Sequence, residues 1–120
     1  MADELYIYVP DFAADATAIK KELGTKVDAE SVTCETTLVA ALGKYTNVKQ
    51  LTFNTHGKSG EITLPKSTLM IDGFELLKIG KKVPNLMAPM GRILFMSCAT
   101  GDGTDGDTFM DNVAKGFLIH

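Results

Sequence analysis

The sequence predicts an α/β fold, a three-layer sandwich with a mainly parallel central sheet flanked by helices. Three observations predict it. Short β-branched and aromatic runs alternate with segments of helical periodicity along the whole chain. Residues 93–96 (ILFM) are continuously apolar, the pattern of a central strand covered on both faces. Finally, 120 residues with 45% hydrophobic and 22% charged side chains, without repeat or linker, suit one domain spanning 1–120 with a single core.

Residues 5–9 (LYIYV) end at Pro10, which lacks an amide proton for a ladder, and form the first strand. Asp11 caps a helix whose Phe12, Ala16, Ile19 and Leu23 recur at helical spacing, and Gly24 supplies its stop. After a polar loop, Ser31 or Thr33 caps a second helix carrying Cys34, Leu38, Ala41, Leu42 and Tyr45 on one side, which assigns Cys34 to core packing. Residues 48–55 (VKQLTFNT) form the next strand, with His56 at its end. Residues 59–73 alternate at Ile62 and Leu64, break at Pro65 and resume at 69–71, as a small hairpin or flap does. Asp72 caps a helix with Phe74, Leu77 and Ile79 that ends before Pro84. A Pro- and Met-rich connection leads to the strand at 93–96, and the methionines read as core filling. ATGDGTDG is loop chemistry, after which Asp107 or Thr108 caps a last helix running through Phe109, Val113 and Ala114 to a stop at Gly116. Phe117, Leu118 and Ile119 then read as the start of a strand left unfinished, so a second copy or a partner is expected at the open sheet edge.

Charge and composition exclude several function classes. Twelve basic against fifteen acidic side chains give a net charge of −3, and no Lys/Arg cluster offers a grip on nucleic acid or anionic lipid. No apolar run approaches the roughly 20 residues that span a bilayer. The acidic, Pro-broken N-terminus is unlike a secretory leader, so a cytoplasmic protein with reduced cysteines is expected. No cofactor or metal is expected: counted from Asp102, the third and fifth positions are Thr104 and Gly106, which excludes an EF-hand loop. Cys34, His56, Cys98 and His120 lack the short paired spacing of zinc ligands. The aspartates of GDGTDG would repel a phosphate.

In a parallel sheet the site lies beyond the carboxyl ends of the strands. The sequence places His56 and Gly57 directly after one strand and Ser97 and Cys98 directly after another. A thiol attacks as its thiolate and needs a neighbouring base, which couples Cys98 with His56. The backbone N–H groups of Gly57 and Cys98 are candidate oxyanion donors, and Ser97 stands beside them. Asp102 on the following turn brings negative charge toward the substrate, with solvated loop chemistry as its plainer role.

An apolar strand ending in His-Gly, followed about forty residues later by one ending in Ser-Cys, resembles the caspase-like cysteine peptidases, the group of caspases, legumains, gingipains, separases and bacterial CHAT domains. HGKSGEITL at 56–64 and ILFMSCATGDGTDGDTF at 93–109 are most similar to the CHAT and related bacterial branch. The resemblance covers residues 50–117 and implies peptide-bond hydrolysis by a Cys98–His56 dyad on a protein or peptide substrate. No third orienting residue can be named from the sequence. Family members usually continue for another strand or two, so the chain is expected to be a small peptidase or the catalytic half of one. Relatives that cut after Arg or Lys commonly carry an acidic residue where this chain has Met96, so basic specificity is not implied. The alternative is a catalytically inactive module of the same fold that binds a partner protein, as an immunity or scaffold protein does.

Overall fold

The structure is a computed structural model that describes residues 2–66, 70–96 and 103–118. In chain order the elements are β1 (Glu4–Tyr8), a 3-10 turn (Pro10–Phe12), α1 (Ala13–Leu23), β2 (Val27–Ser31), α2 (Glu35–Leu42), β3 (Val48–Asn54), β4 (His56–Lys58), β5 (Glu61–Thr63), β6 (Ile71–Asp72), α3 (Gly73–Lys82), β7 (Met87–Phe95) and α4 (Gly103–Phe117). β1, β2, β3 and β7 form a parallel sheet in the order β2-β1-β3-β7, and β4, β5 and β6 form a small antiparallel sheet. The fold is therefore α/β, with helices on both faces of a parallel sheet.

Strand alternation sorts the side chains into two layers. Leu5, Ile7, Leu51 and Phe53 face α2, α3 and α4, whose Leu38, Leu42, Leu76, Ile79, Phe109 and Val113 are all buried in one cluster with them. Tyr6 points the other way, against Ala16 of α1 and Val27 of β2. Each such Leu, Ile or Phe contributes roughly 1.5–3 kcal/mol by leaving water. β1 is covered on both sides, with Leu5, Tyr6 and Ile7 fully buried.

The strand expected to be central is instead an edge. Among the described residues β7 pairs with β3 alone, Ile93 and Phe95 are half-buried, and Leu94 and Met96 are 45% and 56% exposed. A continuous apolar run records which side chains are present on both faces; cover also needs a helix above each face, and α1 lies over β1 and β2. β7 starts earlier than expected, at Met87, and absorbs the Pro- and Met-rich connection as an irregular stretch. There Met90 adopts φ 65 and is 99% exposed, so that Met87, buried at 2%, fills the core while Met70, Met90, Met96 and Met110 do not.

Four local expectations are also corrected. The polar loop contains β2, whose Val27 and Ala29 pack with α1 while Glu30, half-buried, accepts from Lys44 and Tyr45. Cys34 is not core: it is half-exposed and stands at the N-cap of α2. α4 begins at Gly103, so Asp107 and Thr108 lie inside it rather than capping it. Gly116 is no stop, because the helix continues to Phe117, which is buried, and Leu118 N–H still bonds the Ala114 carbonyl at 2.9 Å. Phe117 and Leu118 thus finish a helix and do not open a strand; Ile119 lies outside the described residues. Glycine at 116 serves α3–α4 packing: a Cβ there would stand 2.7 Å from Leu77 Cα, and one at Gly80 would stand 2.5 Å from the Gly116 carbonyl carbon.

Other signals hold. Asp72 caps α3 by accepting from Glu75 N–H at 2.9 Å, and Gly24 ends α1 at φ 58. The hairpin expected over 59–73 is the antiparallel β5–β6 pair, and β4, which was not expected, joins the other side of β5 through a two-residue turn that closes on Gly60 at φ 82. Among the described residues, no helix is long and apolar enough to cross a membrane.

Candidate functional site

Because β1, β3 and β7 run parallel and side by side, their carboxyl ends share one rim. β3 delivers Thr55 and His56 to it. β7 delivers Met96, whose N–H bonds the Phe53 carbonyl at 2.8 Å and so keeps the two chains paired to the last described residue of that segment. Ser97, Cys98 and Asp102 lie outside the described residues. Gly57 is placed in the hairpin, paired with Ile62, and His56 pairs with Thr63.

β1 supplies a residue the sequence reading had spent on helix capping. Beyond Tyr8 the chain turns at Pro10, and the Asp11 carboxylate Oδ2 lies 2.8 Å from His56 Nε2. Both side chains are well exposed, at 65% and 55%. Phe12 of the same turn rests against the imidazole, with ring centroids 4.8 Å apart and planes inclined by 45°. Nothing in the sequence marked this pair, since 45 positions separate the partners. The one usable signal was that Asp11 and His56 each follow a strand that the fold class makes parallel.

Below the rim a second set of contacts ties the same three strands together. Asn54, 3% exposed, donates through Nδ2 to the Tyr6 hydroxyl at 2.7 Å and to Asp15 Oδ2 on α1 at 3.1 Å. The Tyr6 hydroxyl reaches Met96 Sδ at 3.7 Å. Burial raises the Tyr6 pKa above its ordinary value, with the Asn54 contact opposing, so the hydroxyl stays a donor. The 3-10 turn ahead of α1 is thereby tied to the end of β3 at Asp11, and α1 itself at Asp15.

A cleft of about 440 Å³ opens beyond the hairpin turn, between Lys58 and Gly60, Asp72 and Phe74 at the start of α3, and Thr108 and Asn112 of α4. Its charged groups are engaged: Lys58 pairs with Glu61 at 3.1 Å and Asp72 caps α3. Cys34, the other thiol, is held by the backbone N–H and hydroxyl of Thr37, which lower its pKa. Among the described residues, no three His, Cys, Asp or Glu side chains converge as a metal site would require.

The family whose description reads "Domain of unknown function (DUF4347)" matches residues 9–117. No curated protein matches the sequence.

Proposed function

We propose that this chain, which belongs to the family described as Domain of unknown function (DUF4347), is a caspase-like cysteine peptidase or the catalytic half of one. The observation that carries the reading is the adjacency of β3 and β7: Met96 N–H is on the Phe53 carbonyl, His56 follows Phe53 by three residues and Cys98 follows Met96 by two. Two peptide units span at most about 7.6 Å, which supports a reading in which Cys98 reaches the rim that holds His56.

In this reading His56 accepts the proton of the Cys98 thiol and the sulfur attacks the peptide carbonyl carbon, with backbone N–H groups near Gly57 and Cys98 receiving the oxyanion. The C–N bond breaks as His56 returns the proton to the leaving amine. Water then adds to the thioester, releasing the acid and the thiol. Ser97 and Asp102 contact substrate, and the proposed setting is cytoplasmic, where both cysteines stay reduced.

A second reading draws on β7. Its outer edge faces no strand among the described residues, and Leu94 and Met96 are exposed along it, which suits an inactive module that pairs with a partner or a second copy. One experiment separates the two. In a Cys34→Ser background, a peptidyl acyloxymethyl ketone should alkylate Cys98 rapidly and His56→Ala should lose that reaction by at least about 100-fold. Equal, slow alkylation in both proteins would overturn the peptidase reading and leave the binding module.

A further inference from the structure

We propose that the amino end of the parallel sheet holds a binding site for a small amphipathic carboxylate, whose anionic head is received by Arg92 and Lys26 and whose apolar body lies against Met90. The site is at the opposite end of the sheet from the rim, and it stands whether or not the chain is a peptidase.

A cavity of about 520 Å³ opens there between the end of α1 and the first half of β7, with Leu23, Lys26, Gln50, Pro89, Met90 and Arg92 in its lining. This is within the size range of small-molecule sites. Strand register builds it. Glu4 pairs with Val27 and with Gln50, and Gln50 pairs with Arg92, so one row of residues crosses all four strands. α1 packs over β1 and β2 in this layer and leaves the β7 end of the row open. Residues 92, 94 and 96 alternate onto that same open face, so the exposed Leu94 and Met96 continue from the guanidinium as an apolar stripe.

The row is wired to leave the guanidinium charged and available. Glu4 accepts from Gln50 Nε2 at 3.2 Å and from the Thr52 hydroxyl at 3.3 Å, and Gln50 Oε1 in turn accepts from Arg92 Nη2 at 2.6 Å. A neutral amide therefore positions Arg92, and most of its five N–H donors remain for a ligand. Among the described residues, no carboxylate stands within ion-pair distance of Arg92 or Lys26; Asp3, in the same lining, is on Lys49 at 3.6 Å. A planar guanidinium beside an ammonium matches a carboxylate. A cationic ligand would meet like charge, and a neutral apolar one would leave the donors without an acceptor.

The far wall is shaped at a cost to the fold. Between Val48 and Gln50 the register shifts, and β7 runs from Met87 to Arg92 while β3 advances two residues. The extra residues form an outward excursion in which Met90 adopts φ 65, a conformation that suits glycine, with its side chain 99% exposed. Backbone strain and an apolar side chain in water fall on one residue, and neither helps the chain to fold. A flexible thioether forming one wall of a charged cavity gives both a use.

The probe is decanoate, kept below the concentration at which it forms micelles and titrated into the full chain with nitrogen-15 amide spectra as the readout. Saturable shifts are expected at Lys26, Val27, Gly91 and Arg92, while Gly57 and Ile62 in the hairpin stay still. Arg92→Gln should weaken binding at least about 10-fold, since a charged hydrogen-bonding partner is lost. Met90→Ser should weaken it without touching the charge. Both side chains are exposed, and the variants' own amide spectra show whether they are folded. Decanol and decyltrimethylammonium should each bind at least about 10-fold more weakly than decanoate. Lack of saturation, shifts confined to other parts of the chain, equal binding of decyltrimethylammonium, or unchanged affinity in a folded Arg92→Gln would each overturn the proposal.

Discussion

Gly80→Ala should destabilise the protein although it improves the helix. Inside an exposed helix, replacing glycine by alanine gains about 1 kcal/mol, because the unfolded chain loses freedom. At Gly80 the new Cβ would stand 2.5 Å from both the carbonyl carbon and oxygen of Gly116 and 3.0 Å from its Cα. Carbon atoms pack comfortably at roughly 3.5–4.0 Å, so α3 and α4 must part by about 1 Å. These are backbone atoms, with no side chain to rotate aside. Parting the helices also unseats Leu76 and Ile79 from Phe109 and Val113. Overpacking of this kind costs about 1–3 kcal/mol, and a backbone collision belongs at the upper end, leaving a net loss of roughly 2 kcal/mol after the helix gain. Urea unfolding followed by far-ultraviolet circular dichroism should show the midpoint lower by about 1 M. Gly116→Ala, which meets Leu77 Cα at 2.7 Å, should behave alike, and the double variant should lose less than the two losses together because both force the same separation. A midpoint that rises in Gly80→Ala would refute the reasoning, since only helix propensity would then be acting.

Two further substitutions test other parts of the fold. Phe95 stacks on Phe53 with centroids 4.9 Å apart and meets Phe109 edge-on at 5.0 Å, but its place on an edge strand leaves it half-exposed. Phe95→Ala should therefore cost about 2–3 kcal/mol, below the 3–5 typical of a fully buried phenylalanine; a loss under about 0.5 kcal/mol would show that the stack contributes nothing. The Tyr45 hydroxyl donates to Glu30 Oε2 at 2.5 Å, and burial followed by that carboxylate raises its pKa above the ordinary 10. A group whose folded pKa is raised lends stability in full below its unfolded value and loses it as pH climbs toward the folded one. Tyr45→Phe should thus cost about 1 kcal/mol at pH 8, with the gap to wild type narrowing above pH 10. A gap that widens with pH in urea melts would contradict that sign.

The sequence made the fold class legible because its main cues are local. LYIYV before Pro10 and Asp72 ahead of an amphipathic segment each act within a few residues, and each appears in the structure as read. β2 escaped because VDAES buries one residue in five and looks like a loop unless its neighbour β1 is known. β7 was recognised as a strand but assigned to the wrong place in the sheet, since the sequence does not say which strand stands at the edge. The rim was legible for the same reason as the fold: His56 and Met96 follow strands that a parallel topology brings together. Asp11 was not, because its pairing with His56 depends on the exact turn at Pro10, and a cap is the more frequent use of an aspartate there.

The order of the sheet also orders its assembly during synthesis. β3 is buried along most of its length, yet its partner on one side is β7, the last strand to be made. Between Asn54 and Phe95 a ribosome moving at ~5–20 residues per second needs roughly 2–8 s, during which the backbone edge of β3 beside Leu51 and Phe53 is unpaired. For those seconds the nascent chain is at its most prone to aggregation. In the same interval β1 and β3 can bring Asp11 and His56 together, with residue 98 still to be translated. Whatever reactivity the rim confers therefore waits for β7, and the core around β1 closes later still, when α4 adds Phe109, Val113 and Phe117.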